Sequence, residues 1–196
     1  MKIQSLGIDG CFAIEHDVFP DERGLFREWF KASSIAALGI DFKIMQANFS
    51  VSTRGVIRGL HYSLSPEGQS KLVTCVQGSI SDFLVDVRVG SPTYLEKINI
   101  ELDSNSGFSV LIATGVAHGF SVPNETSAIC YLTSSEFSPV HEKGINPMDK
   151  NLDIDWNLPV TTERIISNTD RNAMDYEFAL RNNLLPTYTS GNQSNE

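Results

Sequence analysis

The chain is short of cysteine, histidine and positive charge and has no long apolar run, and each shortage removes a class of protein. Its three cysteines, Cys11, Cys75 and Cys130, are odd in number and show no CxxC spacing. That disfavours a disulfide framework, and each thiol is expected to lie buried in an apolar strand. Fifteen Lys and Arg against 24 Asp and Glu give a net charge of -9, which argues against the broad positive surface that a nucleic-acid backbone or an anionic membrane requires. An anionic small molecule remains compatible. Exposed charges farther away than ~8 Å are largely screened, so local arginines decide its binding. No stretch approaches the ~18 apolar residues of a membrane span, and positions near the start lack a signal-like core. A soluble, cytoplasmic protein is expected.

The histidines number four: His16, His61, His118 and His141. A metal site on a jelly roll normally gathers two or three histidines and a carboxylate, commonly with two histidines one residue apart on a strand. Gly59 and Ser63 occupy those positions around His61, so no metal is expected, although His61 and His118 are free to meet across strands. His16 and His141, beside acidic neighbours, read as solvated residues.

What is present is period-2 alternation. From 80 to 88, Phe83, Val85 and Val87 fall on one face and Asp82, Leu84, Asp86 and Arg88 on the other, the pattern of a half-buried strand. Similar segments recur near 11–18, 25–30, 43–51, 56–62, 70–76, 94–102, 107–113, 117–121 and 127–133, punctuated by turn signals at 20–24, 66–68, 77–78, 90–92 and 103–107. Closely spaced short strands predict an all-β fold, and a jelly roll is the architecture that wraps a ligand cavity at about this length. Short helices are expected near 31–38 and 172–181, the second from the spacing of Ala173, Tyr176 or Glu177, and Leu180. A single domain over 1–185 is expected, and the polar end, 187–196 in particular, reads as a frayed tail.

The most informative segment is Arg58, Gly59, Leu60, His61 and Tyr62, with Lys71 and with His118, Gly119 and Phe120. Such a set suits removal of a proton beside the carbonyl of an anionic substrate. An imidazole with an ordinary pKa of ~6.5 works as a base near neutrality when a carboxylate orients it. The alternative is a core histidine satisfied by backbone. Strict alternation places Arg58 and His61 on opposite faces, and Gly59 marks the position for a correcting bulge.

Together with Asp21, Arg23, Gly24, Phe26 and Glu28, Gln46 and Asn48, Pro66, Gln69, Gly78, Val85 to Arg88 and Ser167 to Asp170, these residues run in the order and spacing of a known family. From about 10 to 175 the chain resembles the dTDP-4-dehydrorhamnose 3,5-epimerases. The resemblance implies a cupin-like jelly roll in a homodimer with exchanged N-terminal strands. It implies action on a nucleotide-linked 4-keto-6-deoxy sugar without metal or organic cofactor. It assigns His61 as base, Asp170 as its dyad partner, Lys71 to the enolate oxygen and Tyr131 as the donor on the opposite face of the sugar. His118, aligned by Asp82, assists at that oxygen. Arg58 and the partner subunit's Arg23 clamp the diphosphate, Gln46 and Asn48 bond phosphate or sugar, and the partner's Phe26 and Glu28 meet the nucleoside.

Read without the resemblance, Arg23 and Glu28 form an ordinary strand-edge ion pair and Phe26 a core side chain. The chain departs from the family pattern at Ser63, where glutamine is common, at Ala113 and Met174, where proline is usual, and at Phe137, where many members have tyrosine. Phenylalanine keeps a stacking face and loses a hydroxyl. These departures bear on which carbon inverts, 3, 5 or both. Single-position epimerases and ketoisomerases are alternatives, and a metal-dependent cupin enzyme or a silent sugar-nucleotide binder is a more distant one.

Overall fold

The computed structural model describes residues 1–37, 39–64 and 68–189. In chain order its elements are β1 (Lys2–Ser5), β2 (Phe12–Glu15), β3 (Val18–Asp21), β4 (Gly24–Arg27), helix α1 (Ala32–Ala36), β5 (Gln46–Ser52), β6 (Val56–Ser63), β7 (Lys71–Gln77) and β8 (Ser79–Asp86). There follow β9 (Lys97–Asp103), β10 (Phe108–Ile112), β11 (Val116–Ser121), β12 (Ser127–Thr133), β13 (Glu142–Gly144), β14 (Ile165–Ile166), α2 (Asn168–Arg171) and α3 (Tyr176–Arg181).

One sheet has the order β1-β2-β10-β7-β12-β5, the other β13-β6-β11-β8-β9 with β14 parallel to β6, and β3 and β4 form a separate hairpin. Apart from β14, the named strands pair antiparallel, and the two sheets stack as the jelly-roll, cupin-like sandwich that the alternation predicts. Alternation along each strand explains the layering. Val73 and Cys75 of β7, Val110 and Ile112 of β10 and Ile129 of β12 meet Ile80, Leu84, Leu102 and Phe120 of the other sheet. Leu72, Leu111 and Leu132, one position away, face outward and are covered by Ile35 of α1 and by Phe42.

Both faces of β8 are covered, so the half-buried reading of 80–88 is corrected: Ile80 through Val87 are all buried, and so is Arg88. The second cover comes from the 145–185 segment, where Leu152, Trp156, Tyr176 and Leu185 pack on Phe83, Val85 and Val87. Trp156 meets Phe83 edge-on at 4.9 Å between ring centres. Its indole N–H donates to the Pro147 carbonyl at 2.8 Å, which removes the penalty of burying that donor. Full burial of each such side chain contributes roughly 1.5–3 kcal/mol.

Other expectations need amendment. His16 is not solvated: it is buried, its Nε2 stands 2.9 Å from the Ser109 hydroxyl, and burial together with nearby Arg27 lowers its pKa. Cys11 and Cys75 are buried, and burial pushes their thiols up to about 12 and about 11, but Cys130 is only half-buried. The helix expected at 172–181 is α3, which begins only at Tyr176 after its cap Asp175, whose carboxylate accepts from the Phe178 N–H at 2.7 Å. Tyr176 and Ala179 are its buried stripe, and Leu180 is exposed. Strands β1, β3, β13 and β14 and helix α2 were not foreseen. Position 38 of the first expected helix and Pro66 lie outside the described residues, as do 190–196 of the expected tail. Thr187 and Tyr188 are docked, with Thr187 bridged to Val89 and the Tyr188 hydroxyl 3.0 Å from Asp9. Among the described residues no helix is long and apolar enough to cross a membrane.

Candidate active site

Between the sheets lies a cavity of about 440 Å³, with Arg58 and His61 of β6, His118 and Phe120 of β11, Lys71 of β7 and Tyr131 of β12 in its wall. An adjoining space shares His61, Lys71 and Tyr131 and adds Gln46, Asn48, Phe137 and Glu142. β6 and β11 belong to one sheet, β7 and β12 to the other, so His61 and Tyr131 approach from opposite walls.

Gly59 resolves the conflict over faces. The three steps from Arg58 to His61 pair with the two from Phe120 to His118, so β6 carries an extra residue and both Arg58 and His61 reach the cavity. Gly59 has φ +124°, and a Cβ there would lie 2.6 Å from Gly119 Cα and 2.8 Å from the His118 carbonyl oxygen. Only glycine fits both conditions. His61 and His118 are directly paired across the strands, yet each ring turns to its own carboxylate.

His61 Nε2 stands 2.7 Å from Asp170 Oδ1. Asp170 lies on α2, whose cap Ser167 accepts from the Asp170 N–H at 3.0 Å and so fixes the carboxylate's position. Burial alone would raise the Asp170 pKa, but bonds from His61, Ser167 and the Gly59 backbone outweigh it and hold the carboxyl below its ordinary value. His118 Nε2 stands 2.6 Å from Asp82 Oδ1 on the fully buried Asp82. Burial lowers the Lys71 pKa and Glu142, 3.9 Å away, opposes that. Burial also raises the Tyr131 hydroxyl above its ordinary value, Arg58 acting in the other direction. Arg58 donates to the Ser52 hydroxyl at 2.9 Å and the Val51 carbonyl at 3.3 Å rather than to a carboxylate. Its charge is therefore left for an anion.

Gln46 donates to Asn48 at 2.8 Å and accepts from the Phe137 N–H at 2.9 Å, tying these three into one rim. Arg23, Phe26 and Glu28 do not reach this cavity. Arg23 pairs with Asp21, Glu28 with Lys31 at 3.5 Å, and Phe26 is exposed beside Phe19. The strand-edge pair of Arg23 with Glu28 and the core placement of Phe26 are thus both replaced. One group at the site escaped the sequence reading. Glu142 sits on a three-residue strand with too little length for any periodicity, and its bond to Ser63 joins residues 79 apart. Only the departure at Ser63 pointed toward it.

A carboxylate-backed histidine, a lysine and a tyrosine on opposing walls, with an arginine beside them, make an arrangement suited to proton transfer in a jelly roll. Among the described residues no group of three or more His, Cys, Asp or Glu is placed to hold a metal ion. A family model described as dTDP-4-dehydrorhamnose 3,5-epimerase matches residues 5–177. A dTDP-4-dehydrorhamnose 3-epimerase of Streptomyces niveus is 40% identical over 97% of this chain and 91% of its own. A dTDP-4-dehydrorhamnose 3,5-epimerase of Mycobacterium tuberculosis is 36% identical over 96% and 94%. The crystal structure of NovW, a 4-keto-6-deoxy sugar epimerase from the novobiocin biosynthetic gene cluster of Streptomyces spheroides, superposes with a TM-score of 0.90 at 40% identity, covering 96% of this chain and 94% of that one. The chain belongs to the dTDP-4-dehydrorhamnose 3,5-epimerase family, whose members are isomerases.

Proposed function

We propose that this protein epimerises a dTDP-linked 4-keto-6-deoxyhexose at carbon 3, carbon 5 or both, in deoxysugar biosynthesis. One observation carries the reading: the His61–Asp170 pair and Tyr131 stand on opposite walls of one cavity, with Lys71 beside both. His61, oriented through Nε2 by Asp170, takes the proton next to the ketone. Lys71, with His118, stabilises the enolate oxygen, since preorganised positive charge where negative charge develops is worth about 3 kcal/mol per donor. Return of the proton to the same face would restore the starting centre, so Tyr131 delivers one from the other wall. Arg58 takes the diphosphate as a charge-assisted, bidentate donor, Gln46 and Asn48 hold phosphate or sugar, and Phe137 stacks on a ring. The reaction so proposed runs on these side chains without metal or organic cofactor.

A homodimer completes the site. Exposed Phe19, Leu25 and Phe26 on the β3–β4 hairpin are an apolar face suited to a second copy, and Arg23, Phe26 and Glu28 then enter the partner's cavity. Mixing Arg23→Ala with His61→Ala chains tests this, because one intact composite site per dimer restores activity only if the residues come from different subunits. Three unpaired thiols suit a reducing, cytoplasmic setting.

Incubation with dTDP-4-keto-6-deoxyglucose in deuterated water, followed by NMR, tests the reaction. Exchange and inversion are expected at carbon 3, carbon 5 or both; absence of exchange at both carbons rejects the substrate. A narrower reading, carbon 3 alone, is favoured by the greater identity to the relative named a 3-epimerase. It fails if deuterium enters carbon 5 with inversion.

A further inference from the structure

The cavity holds three basic groups each facing one carboxylate: His61 with Asp170, His118 with Asp82, and Lys71 with Glu142. The first two pairs are hydrogen-bonded at 2.7 and 2.6 Å, while Lys71 Nζ and Glu142 Oε2 are 3.9 Å apart. The lysine and its carboxylate are both nearly buried, with side chains 12% and 14% exposed. A lysine in that setting loses its proton readily unless an anion stands by. β13 pairs with β6 so that Glu142 lies opposite Ser63. The buried Ser63 hydroxyl donates to Glu142 Oε1 and leaves Oε2 for the ammonium.

We propose that Glu142, fixed by the Ser63 hydroxyl, is the positioning residue that keeps Lys71 charged and aimed at the oxygen where negative charge develops. The inference rests on the epimerase reading for its consequence in catalysis, though not for its effect on Lys71. Among the described residues, the groups facing Lys71 leave no other candidate. β6 presents His61 and Arg58, β11 His118, β12 Tyr131, and β13 Lys143 next to Glu142. On β10 its cross-strand partner is Ile112, which carries no charge. Asp170 and Asp82 are already engaged by the two histidines. Burial favours the neutral form of Lys71, and among the described residues Glu142 is the anionic group within ion-pair distance of it.

The test uses the full chain with ¹³C-labelled lysine, the Lys71 signal being identified by its loss in Lys71→Gln. NMR titration without substrate is compared for wild type, Glu142→Gln and Ser63→Ala, alongside the pH profile of deuterium exchange. In Glu142→Gln the Lys71 titration is expected to move to lower pH, and the alkaline limb of kcat to follow, with the alkaline rate falling about tenfold relative to the neutral rate. Ser63→Ala is expected to move both in the same direction by less. A Lys71 titration unchanged in Glu142→Gln overturns the inference, and a raised KM with an unshifted profile would place Glu142 on the substrate instead. Failure of the epimerase reading shows as a wild type without exchange, and the lysine titration still decides the role of Glu142.

Discussion

His61 and Asp170 lie 109 residues apart in the chain and 2.7 Å apart in the fold. A strand in one sheet supplies the ring, and a four-residue helix after the last strand supplies the carboxylate. The base is thus assembled only when the C-terminal segment has docked on β6.

Removal of either partner should therefore act on turnover and spare nucleotide affinity. His61→Ala is expected to lower exchange by about a hundred- to ten-thousand-fold, the range for a general base. Asp170→Asn should lower it by less, and calorimetric titration with dTDP should show little change in either. Wild-type activity in His61→Ala would remove the base assignment.

Tyr131→Phe separates the two half-reactions. Deuterium exchange next to the ketone should persist at a larger fraction of the wild-type rate than formation of the inverted product. NMR in deuterated water reads both from one sample. Equal losses would argue that Tyr131 does not donate the proton.

Gly59→Ala is expected to destabilise the protein by roughly 1–3 kcal/mol, because a methyl group meets the β11 backbone and an L side chain is strained at this positive φ. Urea denaturation measures the loss. Activity should fall further than stability alone accounts for, since the bulge places both Arg58 and His61.

Asp86 offers a stability test remote from the cavity. The residue is fully buried, pairs with Arg88 at 2.8 Å and accepts from Ser91 and Thr93. Burial alone would raise its pKa, but those bonds outweigh it and hold the carboxyl below its ordinary value. With the folded pKa depressed, its stabilising contribution is complete above the unfolded value of about 3.9 and is lost as pH falls through the folded one. Asp86→Asn should cost about 3–5 kcal/mol near neutrality by stranding Arg88. Its stability should fall less steeply than that of wild type in acid, measured by denaturation at a series of pH values.

Local patterning made the sandwich legible. Alternation in β7, β8 and β12 and the turn signals between them set the strands, because a period of two leaves one arrangement that buries the apolar set. Order and spacing of Arg58, His61, Lys71, Tyr131 and Asp170 marked the family and the candidate groups. Tertiary structure decided what alternation does not encode. The 145–185 segment covers the second face of β8 and turns a strand that reads as half-exposed into a buried one. The extra residue at Gly59 brings Arg58 to the same side as His61. Ser63 and Glu142, from strands remote in sequence, meet beside Lys71. Such relationships depend on contacts between distant residues and on a register fixed by backbone crowding, and neither has a periodic trace in the chain.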